Sequence, residues 1–154
     1  MIARRAFLGG ALAGCAGVAL GFARGARGAS PAVTPLTREL ALLSLASGNV
    51  LVHAGRDGHT LVDTGAAEDR DALLAALAEL PGAGRVQTVF NTHWHPEQVG
   101  SNETFGRAGA RIVAHAKTAA RLAARYYLRD EDRYRDPLPK EGRPTETFYD
   151  TGET

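Results

Sequence analysis

The stretch Val86-Gln87-Thr88-Val89-Phe90-Asn91-Thr92-His93-Trp94-His95-Pro96-Glu97-Gln98-Val99-Gly100 decides the fold. Its opening residues are β-branched and apolar, which predicts a strand over Val86 to Phe90. That strand runs straight into two histidines one residue apart. In extended backbone, positions i and i+2 project from the same side, so both imidazoles can meet one cation while Trp94 faces away. Neutral imidazole is the usual zinc donor, but catalytic zinc takes three protein ligands plus water, so a further ligand must come from elsewhere. Glu97 follows two residues later, within reach of the metal or of a proton on its water. The competing reading is that the histidines merely pack or cap. Their place at the C-terminal end of a strand, where α/β folds bind ligands, favours the metal.

Working outward, a strand is expected over Asn49 to Ala54, a turn at Gly55-Arg56-Asp57-Gly58, and a return strand Thr60-Leu61-Val62 ending at Asp63-Thr64-Gly65. Glu68 and Asp69 load the first turn of a helix bearing Leu73, Leu74, Leu77 and Leu80, which Pro81-Gly82 stops. Beyond the histidines, a short helix is expected over Glu97 to Phe105, a strand over Arg111 to Ala114, and a helix over Lys117 to Leu128. A charged loop follows over Arg129 to Asp136, and a final strand starts at Thr145 to Tyr149. Residues 31–40 read as a lead-in. This alternation is that of a layered α/β domain.

The chain has 154 residues, which fits one domain by length. Residues 1–29 hold four of the 18 Lys and Arg and no acid, so 14 basic residues face 17 acidic ones in the body, about −3. A slightly acidic body has no electrostatic footprint for nucleic acid. The segment 1–29 reads as a signal peptide. Arg4-Arg5-Ala6-Phe7-Leu8 is a twin-arginine pattern, and Ala6 to Phe22 is uncharged, short of the ~20 apolar residues a membrane-spanning helix needs. Two processing sites compete: Leu12-Ala13-Gly14-Cys15 matches a lipoprotein box, which would lipidate Cys15, and small residues near Gly28 to Ser30 suit cleavage and soluble release. Release is favoured, because the apolar run continues past Cys15. Either way the protein is expected in the periplasm or beyond, touching membrane only through this segment. Residues 30–154 form the working domain.

Leu61-Val62-Asp63-Thr64-Gly65 followed by Asn91-Thr92-His93-Trp94-His95-Pro96-Glu97-Gln98-Val99-Gly100 resembles the N-terminal half of the metallo-β-lactamase superfamily, over roughly residues 45–125. The resemblance implies an αβ/βα sandwich with its metals at one edge. It makes His93 and His95 ligands of the first zinc and Asp63 a support for ligand geometry from behind. The family's usual His-x-His-x-Asp-His continues here as Glu97-Gln98. Glutamate keeps a carboxylate, whereas the neutral amide of Gln98 is a poor zinc donor, so one firmly bound zinc and a weak or empty second site are expected. Gln98 and His115 are assigned at most weak second-metal or substrate contacts. His53 and His59, flanking the hairpin turn, are expected at the surface, and Ser101 and Asn102 suit helix capping.

The activity implied is hydrolysis of a small molecule by attack of metal-bound hydroxide on an ester, thioester, lactam, phosphate ester or sulfate ester, with Glu97 as catalytic residue. The alternative is a degenerate protein that binds a metal or ligand without turnover; a weaker third reading is a structural half that pairs with another chain. In such a sandwich the later ligands and second sheet would follow Thr154, so a fragment, a truncated product or half of a split protein is expected.

Overall fold

A computed structural model describes residues 31–82, 84–129 and 131–150; the segment 1–29, expected to be a signal peptide, and Cys15 within it lie outside them. Four strands run antiparallel in sequence: β1 (Ala32–Pro35), β2 (Leu40–Ser44), β3 (Asn49–Gly55) and β4 (Gly58–Val62). The β3–β4 turn is tighter than the sequence predicts. Gly55 pairs with Gly58, so only Arg56 and Asp57 lie between the strands. Gly58 has φ 146°, and a Cβ there would sit 2.6 Å from the carbonyl oxygen of Arg85, so conformation and space both call for glycine.

After β4 the connections become parallel crossovers. Helix α1 (Arg70–Glu79) leads to β5 (Val86–Asn91). Two short helices, α2 (Pro96–Val99) and α3 (Asn102–Arg107), lead to β6 (Arg111–His115). Helix α4 (Ala116–Ala123) and a two-stranded ribbon, β7 (Tyr126–Leu128) with β8 (Arg133–Arg135), lead to β9 (Glu146–Phe148). The main sheet has the order β1-β2-β3-β4-β5-β6-β9, and β4, β5, β6 and β9 are mutually parallel.

One face of this sheet carries the core. Leu43, Val50, Val52, Leu61, Val89 and Ile112 meet Leu73, Ala76 and Leu77 of α1 and Phe105 of α3. Each fully buried Leu or Ile there contributes about 2 kcal/mol relative to exposure. The opposite face carries the row Leu42, Leu51, Val62, Phe90 and Val113 in register across five strands. These residues are half-buried or exposed, Phe90 at 40%.

The structure corrects several expectations. The stretch 31–40, expected as a lead-in, contains β1 and the first residue of β2. The helix expected from 117 to 128 ends at Ala123, because Tyr126-Tyr127-Leu128 pairs with Arg133-Tyr134-Arg135; the expected loop over 129–136 therefore contains a strand. The helix expected over 97–105 breaks at Ser101 into two. His59 is fully buried, its Nε2 3.1 Å from the carbonyl oxygen of Pro81. β4 begins at Gly58 and so includes His59, which lies two residues before the core residue Leu61 and therefore on the same, buried face of the strand.

Candidate metal centre

The site lies at the C-terminal ends of β4 and β5. The chain leaves β4 through Asp63 at φ 65° and Gly65 at φ 67°; a left-handed turn suits Asp better than most side chains. Three backbone bonds fix this turn to the histidine segment: Asp63 N donates to Phe90 O (2.8 Å), Thr64 N to Gln98 O (2.8 Å), and Gly100 N to Gly65 O (2.9 Å). The backbones come so close that a Cβ on Gly100 would lie 2.3 Å from the amide nitrogen of Ala67.

Behind this seam sits a buried polar hub. Asn102 and Asn91 exchange side-chain amide bonds at 2.8 and 3.1 Å, Asn102 Nδ2 also donates to Gly142 O (3.0 Å), and Thr64 Oγ1 donates to Asn102 Oδ1 (3.0 Å). Asn102, expected to cap a helix, is instead this hub and is fully buried. Ser101 does precede α3, but its hydroxyl bonds Ala66 O (3.3 Å) rather than the helix.

Both Asp63 carboxylate oxygens face Thr92: Oδ1 accepts from Thr92 N (2.9 Å) and Oδ2 from Thr92 Oγ1 (2.7 Å). Thr92 Oγ1 in turn lies 2.9 Å from His93 Nδ1. With the Thr92 proton given to Asp63, its oxygen accepts from His93 Nδ1–H, which leaves the Nε2 lone pair free. Burial raises the Asp63 pKa above its ordinary value; the bonds from Thr92 and the nearness of His93 oppose that rise.

The rings of His93 and His95 lie 4.7 Å apart, edge to face at 76°. Zinc–nitrogen bonds of about 2.0–2.1 Å at a tetrahedral angle place two ring centres roughly 5 Å apart, so the spacing fits a shared cation. Trp94 does not face away as extended backbone predicts. The segment bends after β5, and the indole meets His95 edge-on at 4.4 Å.

Glu97 is exposed in the first turn of α2, and Gln98 is half-buried, its backbone tied to Thr64. Among the described residues no group of three or more His, Cys, Asp or Glu gathers to hold a metal, so the chain brings two imidazoles together and does not add Glu97 to them. His115 has both nitrogens engaged: Nδ1 accepts from Lys117 N (3.1 Å) at the start of α4, and Nε2 lies 2.8 Å from Tyr149 O. His53 is exposed and faces Glu39 at 3.4 Å. Sequence reasoning missed Thr92, Asn91 and Asn102; a threonine directly before the first histidine was the one local signal.

Beside His95 opens a cleft of about 440 Å³, walled by Trp94, His95, Pro96 and Glu97 on one side and by Arg121 and the β7–β8 ribbon on the other.

A mixed sheet, antiparallel from β1 to β4 and parallel from β4 to β9, with helices on its core face, an Asp-Thr-Gly turn and two neighbouring histidines after β5, defines an α/β domain with a candidate metal site. Residues 44–153 match the metallo-beta-lactamase superfamily, and the chain belongs to that family. Among solved structures it resembles BJP-1, a subclass B3 metallo-beta-lactamase of Bradyrhizobium japonicum (19% identity, TM-score 0.62, 80% of this chain and 47% of that one). It also resembles MEM-A1, a subclass B3 enzyme from a soil metagenome library (17%, 0.60, 79% and 47%). A third is described as the first B3 metallo-beta-lactamase with an active-site glutamic acid (20%, 0.53, 64% and 38%). At these identities the likeness is one of fold. The chain spans about half the length of the first two. No curated protein matches it.

Proposed function

We propose that this chain carries the first two ligands, His93 and His95, of a zinc site in an exported metal-dependent hydrolase. The observation that supports this most is the pairing of the two imidazoles at 4.7 Å with His93 Nδ1 tied through Thr92 to Asp63. Zinc, when bound, supplies a Lewis acid and lowers the pKa of its water towards about 7. Asp63 and Thr92 hold His93 in the tautomer that presents Nε2. Glu97, on the cleft wall beside His95, accepts the proton released as the substrate is attacked. The B3 enzyme described with an active-site glutamic acid supports a glutamate in such a place. The amide of Gln98 favours one firmly held zinc, with the remaining ligand supplied from outside the described residues. Substrates of the ester, thioester, lactam, phosphate ester or sulfate ester class fit this chemistry. Export is proposed from Arg4-Arg5 and the uncharged run that follows, with soluble release preferred over lipidation at Cys15.

The second reading, a binder without turnover, draws on the gathering of only two imidazoles among the described residues. One pair of variants tests both. In the complete protein, His93→Ala should abolish zinc retention and hydrolysis, whereas Glu97→Ala should keep zinc and lose about 10²–10⁴-fold in rate. Unchanged zinc content in His93→Ala overturns the metal assignment. Retained zinc with no turnover in the parent protein selects the binder.

A further inference from the structure

Trp94, placed between the two histidines, lies edge-on to His95 on one side and to Tyr126 on the other, at 4.4 and 5.0 Å. Arg121, from the last turn of α4, lays its guanidinium over both aromatic rings, 4.6 Å from the Trp94 centroid and 3.9 Å from that of Tyr126. Cation–π contact positions a guanidinium by the ring quadrupole and leaves its charge and N–H groups without an acid.

That is the situation here. Among the described residues Arg121 forms no ion pair, and its Nε is buried without a hydrogen-bond partner. The Tyr126 hydroxyl is buried and unpartnered as well, so two of the three such atoms among the described residues meet in this one cluster. Burial raises the Tyr126 pKa, which keeps its O–H a donor. Two acids line the cleft: Glu131 is already paired with Arg133, and Glu97 stands on the histidine side, while Arg129 adds a second cation to the wall that holds Arg121.

We propose that Arg121, stacked on Trp94 and Tyr126 at the edge of the cleft beside His95, is a specificity-determining residue that takes a carboxylate group of the substrate. A planar guanidinium matches a carboxylate through two parallel N–H···O bonds, and stacking pre-orients that fork before the ligand arrives. A cleft of about 440 Å³ admits a small organic acid. The assignment of this acid as substrate rests on His93 and His95 being the reaction centre; the carboxylate site itself does not.

The single tryptophan of the chain is Trp94, so its fluorescence reports the stack directly. Phenylacetate and its neutral isostere phenylacetamide are titrated into the complete protein with a chelator present, so that no metal holds the carboxylate. A saturable change is expected, at least about ten-fold tighter for phenylacetate. Arg121→Gln should abolish the preference and Arg121→Lys should keep part of it, with zinc affinity unchanged in both. The lysine variant keeps the test valid should the glutamine variant not fold. Equal binding of the two probes, no binding of either, phenylacetate binding only with zinc, or a preference surviving in Arg121→Gln each overturns the proposal. Loss of zinc in His93→Ala with phenylacetate binding intact leaves the two assignments separately judged.

Discussion

Asp63 is buried in a left-handed turn, and both its oxygens hold Thr92. Burial raises its pKa, so the ionised form is kept at some cost to stability. Asparagine tolerates the same φ and removes that cost, but its amide would donate to Thr92 Oγ1. The Thr92 proton would then turn towards His93 Nδ1 and push the ring proton onto Nε2, the nitrogen assigned to the proposed zinc. Asp63→Asn is therefore expected to unfold no earlier than the parent in a thermal melt while losing about 10–100-fold in zinc affinity by competitive chelator titration. Equal affinity would remove the relay from the account. Asp63→Ala should lose both, because alanine is strained at φ 65°.

At the level of elements, the seam between the Asp63–Ala66 turn and the α2–α3 junction depends on Gly100. A methyl there would press on the backbone of Ala66 and Ala67 at 2.3–2.8 Å, and backbone held by three hydrogen bonds yields little. Gly100→Ala should cost about 3 kcal/mol in urea unfolding, at the upper end of overpacking effects. A loss under about 1 kcal/mol would mean the seam opens easily.

Elements built on local signals were legible in the sequence: the β3–β4 hairpin through Asp57-Gly58, α1 through Leu73 and Leu77, and β5 through its β-branched run. The outer strands were not. Pro31 and Pro35 read as breakers, and the near-continuous apolar run Leu40-Ala41-Leu42-Leu43 hides the alternation that pairing with β3 reveals. Tyr126-Tyr127-Leu128 continued the apolar pattern of α4 and becomes a strand only because Arg133–Arg135 returns beside it. In the site, the His-x-His spacing was visible, whereas Thr92 and Asn102 acquire their roles from partners 29 and 38 positions away. No local window contains both ends of such a contact.

For the whole molecule, the two sheet faces differ in kind. Helices cover one, while Leu42, Leu51, Val62, Phe90 and Val113 line the other without comparable cover among the described residues. A continuous apolar row of this kind binds hydrophobic dye or drives self-association. Phe90→Ser, with its ring already 40% exposed, should weaken dye binding several-fold and shift the thermal midpoint by no more than a few degrees. Undiminished dye binding would place the sticky surface elsewhere.

The cleft is bounded by two pieces of chain held in different ways. The histidine side is locked to β4 by the Gly100 seam and the Asn102 hub, while Tyr127, Leu128, Arg129 and Glu131 belong to a ribbon outside the main sheet. Selection for a new substrate therefore has room to work on one bank without disturbing the other. Randomising 127–129 and 131 should alter which molecules are accepted while leaving the histidine bank in place, and this domain is in that sense already divided into a fixed tool and an exchangeable grip.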